Sequence, residues 1–136
     1  DKDANPKDLK MFTKEDGRVF LHPTSGNFNV GRFESPWLIF SEKVKTAKVF
    51  IRESTMVPSY SLLLFGGQLS IDYVLKVLAV DEWGKFDAPG RISVLVRELR
   101  EEVNAMLSQK ISRPSFDLAD SQVVDVLCTL LTTDGF

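Results

Sequence analysis

The stretch that decides the fold is residues 37–67, which read WLIFSEKVKTAKVFIRESTMVPSYSLLLFGG. Its first part, residues 37–55, alternates in polarity and is rich in Val, Ile, Phe and Thr, a composition typical of β-strands. No proline interrupts this part. It therefore predicts two strands that meet around residues 43–47.

The second part of the stretch predicts a short helix between two strand-forming regions. Pro58 suits a first helical turn, residues 59–65 follow it without a breaker, and Gly66 and Gly67 end the helix. Residues 22–36 hold two Pro, two Gly and two Asn, which predicts a loop. Further strands are predicted at 18–21, 68–73, 76–81 and 83–86.

From residue 89 onward the pattern changes to that of helices. An apolar stripe predicts a helix that ends before Pro114, with Asp87 as its N-cap. A second helix is predicted from Asp120 or Ser121 to residue 133. The stripe of the first helix consists of Ile92, Leu95, Val96, Leu99, Val103, Met106, Leu107 and Ile111, and the apolar face of the second consists of Val123, Val124, Val126, Leu127, Leu130 and Leu131.

Strands followed by helices predict an α+β class, mainly β. Five or six short strands with a small inserted helix are compatible with a five-stranded oligonucleotide-binding (OB) barrel that carries C-terminal helices. An SH3-like barrel or a short sandwich satisfies the same pattern, and spacing alone does not choose among the three.

Composition indicates one soluble globular domain. The chain has 136 residues, of which 43% are hydrophobic and 26% charged, and its net charge of -2 argues against a strong autonomous nucleic-acid binder. Residues 1–60 carry ten Lys/Arg and eight Asp/Glu, a net +2, whereas residues 61–136 carry seven and eleven, a net -4. A local basic patch on an acidic body is therefore expected.

The ends and apolar runs of the chain bear on its location. The first ten residues are charged and polar, with neither an initiator Met nor a signal segment, and no apolar run is long enough to span a membrane without interruption. We expect a segment of a larger intracellular protein, cytoplasmic or nuclear, with no membrane partner.

Residues suited to catalysis are few. The sequence has no Gly-x-x-x-x-Gly-Lys-Ser/Thr phosphate loop, so no ATP site is expected, and Asp81 and Glu82 are interpreted as turn residues. Cys128 falls on the apolar side of the last predicted helix, about a hundred residues after His22, so a buried, unreactive thiol is expected. No catalytic residue, metal site or cofactor site is predicted in this chain.

A ligand-binding surface is indicated within residues 45–52. If this strand has no bulge, alternate residues share a face. One face holds Thr46, Lys48, Phe50 and Arg52, and the other holds Ala47, Val49 and Ile51 and is predicted to be core. Proteins that bind single-stranded nucleic acid use cations to attract its backbone and aromatic rings to stack with its bases. The alternative is that Phe50 is core and the cations are ordinary solvated residues.

Five short motifs occur in order along the chain: HPTS at 22–25, PWLIF at 36–40, EKVKTAKVFIRE at 42–53, LLLFGG at 62–67 and VDEW at 80–83. Together they resemble the C-terminal OB-fold domain of DEAH-box and RNA helicase A-type RNA helicases, over residues 14 to about 112. Two departures are Gly26, where relatives often have Val, and the order Pro58 then Ser59, which relatives usually invert.

The resemblance implies an accessory domain that lies beside two ATPase lobes, helps to close the RNA channel and contacts RNA, single-stranded or structured. ATP and Mg²⁺ are then bound by the parent helicase and not by this chain. The expected organisation is a linker at 1–13, a barrel at 14–88 and a helical extension packed on it at 89–136.

Carried over residue by residue, the resemblance also implies a set of RNA contacts. These are His22, Thr24, Ser25, Lys43, Lys45, Thr46 and Lys48. The alternative function is a protein-docking domain without direct RNA contact, which the net acidity and the apolar content of the final helices favour.

Overall fold

The computed structural model describes residues 5, 7, 9–119 and 121–133. The chain divides into two compact units, Asp1–Val57 and Pro58–Phe136. In the described part of the chain, the three helices belong to the second unit, and each unit contains a sheet. The class is mixed α+β, as predicted, but it is not mainly β, since the helices hold at least as many residues as the strands.

The first unit is built on one four-stranded sheet. Its strands are β1 (Met11–Thr13), β2 (Gly17–Leu21), β3 (Trp37–Lys45) and β4 (Val49–Val57). Their order is β1-β2-β4-β3, with β2 and β4 parallel and the other two pairs antiparallel. The loop predicted at residues 22–36 connects β2 to β3. The strand β1 was not predicted from the sequence.

Alternation along β4 separates a buried face from an exposed one. Ile51, 2% exposed, packs with Val19 and Leu21 of β2, and Val49 partly covers this cluster. Val49 and Ile51 therefore lie on the core side, as predicted. Ala47 does not, because it lies in the exposed turn between β3 and β4.

The second unit combines three helices with a three-stranded antiparallel sheet of order β5-β6-β7. Its elements are α1 (Ser59–Phe65), β5 (Leu69–Asp72), β6 (Val77–Val80), β7 (Gly84–Asp87), α2 (Gly90–Ser112) and α3 (Gln122–Thr133). The bounds of α1 are those predicted. Glycine is required at position 66, since a Cβ there would overlap the Leu62 backbone carbonyl. A Cβ at Gly67 would meet only the Asp81 carboxylate, the movable end of a side chain.

Asp81 and Glu82 are turn residues, as the sequence predicts. Both have left-handed φ angles, 52° and 59°, between β6 and β7. The Asp81 carboxylate also accepts a hydrogen bond from the Gln68 backbone N–H at 2.8 Å. Both acids therefore form the turn between β6 and β7, and Asp81 also connects this turn to Gln68.

Two apolar clusters form the core of the second unit. One includes Leu78 of β6 and Val96 of α2, and the other consists of Leu64 of α1, Val103 of α2 and Leu127 of α3. The helix α2 thus packs near the sheet through one part of its length and against α1 and α3 through another.

Arg100 fastens α2 to the C-terminal end of α1. Its guanidinium donates to the carbonyl oxygens of Leu63 at 2.8 Å, Gly66 at 2.5 Å and Gly67. Carbonyl groups at a helix end lack partners within the helix, and a cation there also favours the negative end of the helix dipole. Arg100 therefore satisfies backbone groups of α1 and of the residues that follow it.

The buried stripe of α2 is narrower than predicted. Val96 and Val103 are buried, and Leu99 and Met106 are partly buried. The other half of the predicted stripe is exposed, because the clusters that α2 joins cover only part of its circumference. The exposed residues are Ile92, Leu95, Leu107 and Ile111.

Two other helix predictions are wrong. Cys128 is exposed, because α3 directs the neighbouring Leu127 into the core. Asp87 ends β7, and Pro89 occupies the N-cap position of α2 without a side-chain hydrogen bond. Of the two starts predicted for the last helix, Ser121 directly precedes α3, and Asp120 lies outside the described residues.

The strand count also differs from the prediction. The described residues form seven strands, in sheets of four and three, so a count of five is not confirmed. Among the same residues, no helix combines the length and the apolar character needed to cross a membrane.

Candidate nucleic-acid interface

The loop at residues 22–36 is fastened to β4 at its beginning. The His22 backbone N–H donates to the Ile51 carbonyl at 3.0 Å, which extends the pairing of β2 with β4. The Asn27 side-chain amide donates to the carbonyl and hydroxyl oxygens of Ser54, at 2.8 and 3.0 Å. The residues between these two anchors are therefore presented from a defined position beside β4.

The His22 ring is oriented through both of its nitrogens. Because Arg52 can only donate, its Nη2 atom, 3.1 Å from Nε2, requires Nε2 to accept. Nδ1 lies 2.7 Å from the Thr24 hydroxyl oxygen and 3.2 Å from the Thr24 backbone nitrogen. The ring also meets Phe50 edge-on, with centroids 5.7 Å apart.

Cations and rings share one side of the sheet, which we call the aromatic face and define by Arg18, Phe20, Lys48, Phe50 and Arg52. The Lys48 ammonium lies 4.6 Å and the Arg18 guanidinium 5.0 Å from the centroid of the Phe20 ring. The Phe20 and Phe50 rings are 6.2 Å apart. These distances suit cation–π and aromatic contacts. The structure thus brings the predicted Lys48, Phe50 and Arg52 together and adds Arg18 and Phe20.

Lys43 lies on the opposite side of the sheet. Its register partner on β4 is the buried Ile51. Its ammonium donates to the Asp16 carboxylate at 2.7 Å and lies 3.6 Å from the Glu15 carboxylate. The hydrogen bond between Lys43 and Asp16 raises the pKa of Lys43 and lowers the pKa of Asp16. Lys43 is therefore paired within the first unit.

Lys45 and Thr46 lie where β3 turns into β4, and both are exposed. Lys45 pairs in register with Val49, which places it on the same side of the sheet as Lys43. The Thr46 backbone N–H donates to the Lys48 carbonyl at 2.9 Å and closes the turn. The predicted contacts thus fall into three groups: His22, Thr24, Ser25 and Lys48 beside the aromatic face, Lys43 and Lys45 on the opposite side, and Thr46 in the turn.

The prediction from sequence missed two aromatic residues near this surface. Phe20 alternates with the core residues Val19 and Leu21, and this alternation could have placed it on the outer face. Phe28 is 40% exposed in a loop otherwise composed mainly of turn-forming residues. An aromatic residue in such a loop is a signal that could have been used.

The chemistry of this surface favours an anion and a planar ring. The described ranges 9–119 and 121–133, with residues 5 and 7, contain no group of three or more His, Cys, Asp or Glu side chains able to hold a metal. Lysine and arginine side chains attract phosphate, and exposed aromatic rings stack with bases.

Two family profiles match the sequence. The profile described as oligonucleotide/oligosaccharide-binding (OB)-fold matches residues 1–69, and the profile described as C-terminal domain in RNA helicases matches residues 76–133. The first match contains the loop and the whole aromatic face.

Curated helicases from animals and plants are similar to most of the chain. The ATP-dependent RNA helicase dhx29 of Xenopus laevis is 36% identical over 118 residues, and the ATP-dependent DNA/RNA helicase DHX36 of Homo sapiens is 43% identical over 110. The DExH-box ATP-dependent RNA helicase DExH1 of Arabidopsis thaliana is 41% identical over 113. These matches cover 87%, 79% and 82% of this chain but 8%, 11% and 11% of the relatives. The chain thus spans about a tenth of their length.

Proposed function

This chain belongs to the family of OB-fold-containing C-terminal domains of RNA helicases, and we propose that it is an accessory RNA-binding domain of an ATP-dependent DExH-box helicase. The observation that carries the proposal is the aromatic face, on which Lys48 and Arg18 lie over the Phe20 ring beside the His22 loop. Arg52 contacts the His22 ring and also lies 3.8 Å from the Glu42 carboxylate. In the proposed parent, the motor lobes bind ATP and Mg²⁺, and this chain takes no part in that site.

The groups beside the aromatic face have complementary roles toward RNA. The exposed Lys48 ammonium attracts the phosphate backbone. The hydroxyl groups of Thr24 and Ser25 donate to phosphate oxygens, and the His22 ring, held by Arg52, offers a surface on which a base can stack. This combination favours contact with a single strand over recognition of duplex shape.

The proposed RNA path follows the aromatic face and leaves Lys43 aside. The two carboxylates of Asp16 and Glu15 neutralise the charge of Lys43, and the side chain belongs to the other side of the sheet. Lys45, exposed near the turn, contributes only if the strand of RNA continues past Lys48. Lys48 and Lys43 therefore form a matched pair for an experiment.

The experiment is a titration of the 136-residue chain with short single-stranded RNA at several salt concentrations. The logarithm of the affinity is expected to fall linearly with the logarithm of the salt concentration, and Lys48→Ala is expected to reduce the slope by about 0.7. Lys43→Ala is expected to leave the slope unchanged. Circular dichroism verifies that both variants are folded. Absence of binding at the lowest salt concentration, or equal effects of the two substitutions, would contradict the proposed path.

We also propose that the second unit docks onto the motor lobes of the parent helicase. A groove of 480 Å³ on α2 and α3 is lined by Leu95, Leu99 and Val126 together with Glu98, Glu101 and Glu102. Leu95 and Val126 are 54% and 51% exposed. Apolar side chains ringed by carboxylates are complementary to a surface on which Lys or Arg surrounds an apolar centre. The rest of the parent chain is the proposed source of that surface.

Charge reversal in the full-length parent tests this docking. Glu98→Lys combined with Glu101→Lys is expected to loosen the domain, measured as faster proteolytic release and weaker unwinding. Glu82→Lys, in the exposed β6–β7 turn, is the control and should have neither effect. If unwinding depends on Glu98 and Glu101 but not on Lys48, the alternative function of docking without RNA contact is correct.

The finer architecture is part of the same proposal. The OB-fold match over residues 1–69 supports an OB-type barrel. We further propose five strands, a barrel at residues 14–88 and a helical extension at residues 89–136. The linker predicted at residues 1–13 overlaps β1, which begins at Met11. The parent is proposed to be an intracellular protein. These bounds and this location stay predictions.

A further inference from the structure

A cavity of 520 Å³ lies in the first unit, where β2 and β4 meet the 22–36 loop and residues that precede β1. We call it the aromatic cleft, and its walls include Lys7, Phe20, Phe28, Asn29, Lys48 and Phe50. Sites for small molecules commonly measure about 300 to 1,000 Å³. The cleft therefore has room for a base together with its sugar.

Two of the three rings in the cleft are engaged by neighbouring side chains. Lys48 and Arg18 lie over the Phe20 ring, at 4.6 and 5.0 Å from its centroid. Phe50 contacts the Phe20 ring at 6.2 Å and the His22 ring at 5.7 Å. These rings are held as a fixed wall, so a ligand that stacks in the cleft needs another ring.

Phe28 is that ring. Its side chain is 40% exposed. Its backbone is nevertheless anchored, because the Phe28 N–H donates to the Ser25 carbonyl at 3.1 Å and the neighbouring Asn27 amide donates to the Ser54 carbonyl at 2.8 Å. A partly exposed ring on a fastened backbone is a stacking platform that need not be ordered by its ligand.

The polar groups of the cleft narrow the class of ligand. Lys7 and Lys48 supply positive charge, which a purely apolar ligand would leave unused and which a phosphate would neutralise. The Asn29 amide can both donate and accept, as the edge of a base requires. An acidic peptide would use the lysines but would leave the ring of Phe28 without a partner for stacking.

We propose that the aromatic cleft binds one unpaired nucleobase of single-stranded RNA, stacked on Phe28, with the adjoining phosphate held by Lys48 and Lys7. This inference rests on the proposed RNA-binding function and adds to it the position and the kind of nucleotide recognised. A duplex, whose bases are already stacked and paired, cannot fill the cleft without opening.

The test uses the 136-residue chain and a short uridine-rich RNA that carries a single 2-aminopurine, whose fluorescence reports stacking on an aromatic ring. Binding is expected to change this fluorescence. Phe28→Ala is expected to abolish the change and to weaken binding about 5- to 150-fold, whereas Phe28→Trp retains both. The salt slope should not change in Phe28→Ala, because stacking releases no counterions. Phe65→Ala, at a ring 52% exposed in the second unit, is the matched control.

The outcomes separate this inference from the proposed function. If RNA binds with a salt slope that depends on Lys48, but Phe28→Ala binds as tightly as the unaltered chain, the cleft is not a base site and the RNA-binding function stands. If Phe65→Ala is as damaging as Phe28→Ala, stacking is not confined to the cleft and the inference is wrong. If no RNA binds at low salt, both are overturned.

Discussion

The two units of the chain differ in where they place their apolar and charged residues. Among the residues that the structure describes, eleven apolar side chains are buried, three in the first unit and eight in the second. The first unit carries ten Lys/Arg and eight Asp/Glu, whereas the second carries seven and eleven. The first unit thus presents cations and rings on a small sheet, and the second contains most of the buried apolar side chains.

Arginine and lysine side chains show the same difference in detail. In the second unit, Arg100 donates to backbone carbonyls at the end of α1 and so acts as part of the fold. In the first unit, Lys48 lies over a phenylalanine ring with its charge exposed. Substitutions should therefore lower stability most in the second unit and affect ligand binding most in the first.

The largest expected effect comes from Leu64→Ala. Leu64 is 1% exposed and packs between Val103 and Leu127, so removal of its side chain leaves a cavity among three helices. The free energy of unfolding should fall by about 2 to 5 kcal/mol. Denaturant titration followed by circular dichroism measures this change.

An exposed residue of the same unit provides the control for Leu64. Ile111 belongs to the apolar stripe that the sequence predicts for α2, but it is 80% exposed. Ile111→Ala should change the free energy of unfolding by less than about 0.5 kcal/mol. A large loss here would mean that the far end of α2 contributes to the core.

A smaller effect is expected from Arg100→Ala. The substitution leaves carbonyl groups of Leu63, Gly66 and Gly67 without their charged donor, and hydrogen bonds to charged groups contribute about 1.5 to 3 kcal/mol. Thermal unfolding measures the loss. Arg97→Ala is the matched control, because Arg97 donates to the exposed Tyr73 hydroxyl, and its effect should be much smaller.

The sequence predicted best where neighbouring residues decide the structure. The bounds of α1 follow from Pro58 and the two glycines after residue 65, and the 22–36 loop follows from its own turn-forming residues. The strand β1 has only three residues, too few for alternation to be recognised, and it is defined by its pairing with β2.

Features that depend on distant contacts were predicted less well. The apolar pattern of α2 does not reveal that α1 and α3 cover only a small part of this helix. Half of its stripe was therefore wrongly placed in the core. The resemblance placed Lys43 and Lys48 in one set of RNA contacts, but the sequence does not reveal that Lys43 pairs with Asp16, 27 residues away along the chain. The aromatic cleft likewise joins three separate segments.

The ion pair of Lys43 predicts a dependence of stability on pH in the first unit. The pKa of Asp16 is lowered in the folded state. Its contribution to stability is therefore present above its ordinary pKa, about 4, and is lost as the pH falls through the lowered pKa. The pKa of Lys43 is raised in the folded state. Its contribution to stability is therefore present below the ordinary pKa of lysine and is lost as the pH rises through the raised pKa.

A comparison of melting temperatures across pH tests this pairing. The difference in melting temperature between the unaltered chain and Lys43→Ala should be largest between the ordinary pKa values of Asp16 and Lys43. It should shrink below about pH 4. Asp16→Asn should show the same profile. If the difference does not vary with pH, the contribution of Lys43 comes from packing of its aliphatic portion and not from the ion pair.

The smallest effect is expected from Gly26→Val, which places in this chain the residue often found in relatives. Nothing lies within 4 Å of the position that a Cβ would occupy, and Gly26 does not adopt a left-handed φ. The new side chain therefore meets neither a neighbour nor backbone strain, and restriction of the unfolded chain offsets the cost of exposing its methyl groups. The free energy of unfolding should change by less than about 0.5 kcal/mol. A loss above about 1 kcal/mol would show that the loop closes over this position, and that the first unit presents the loop less openly than the comparison of the two units requires.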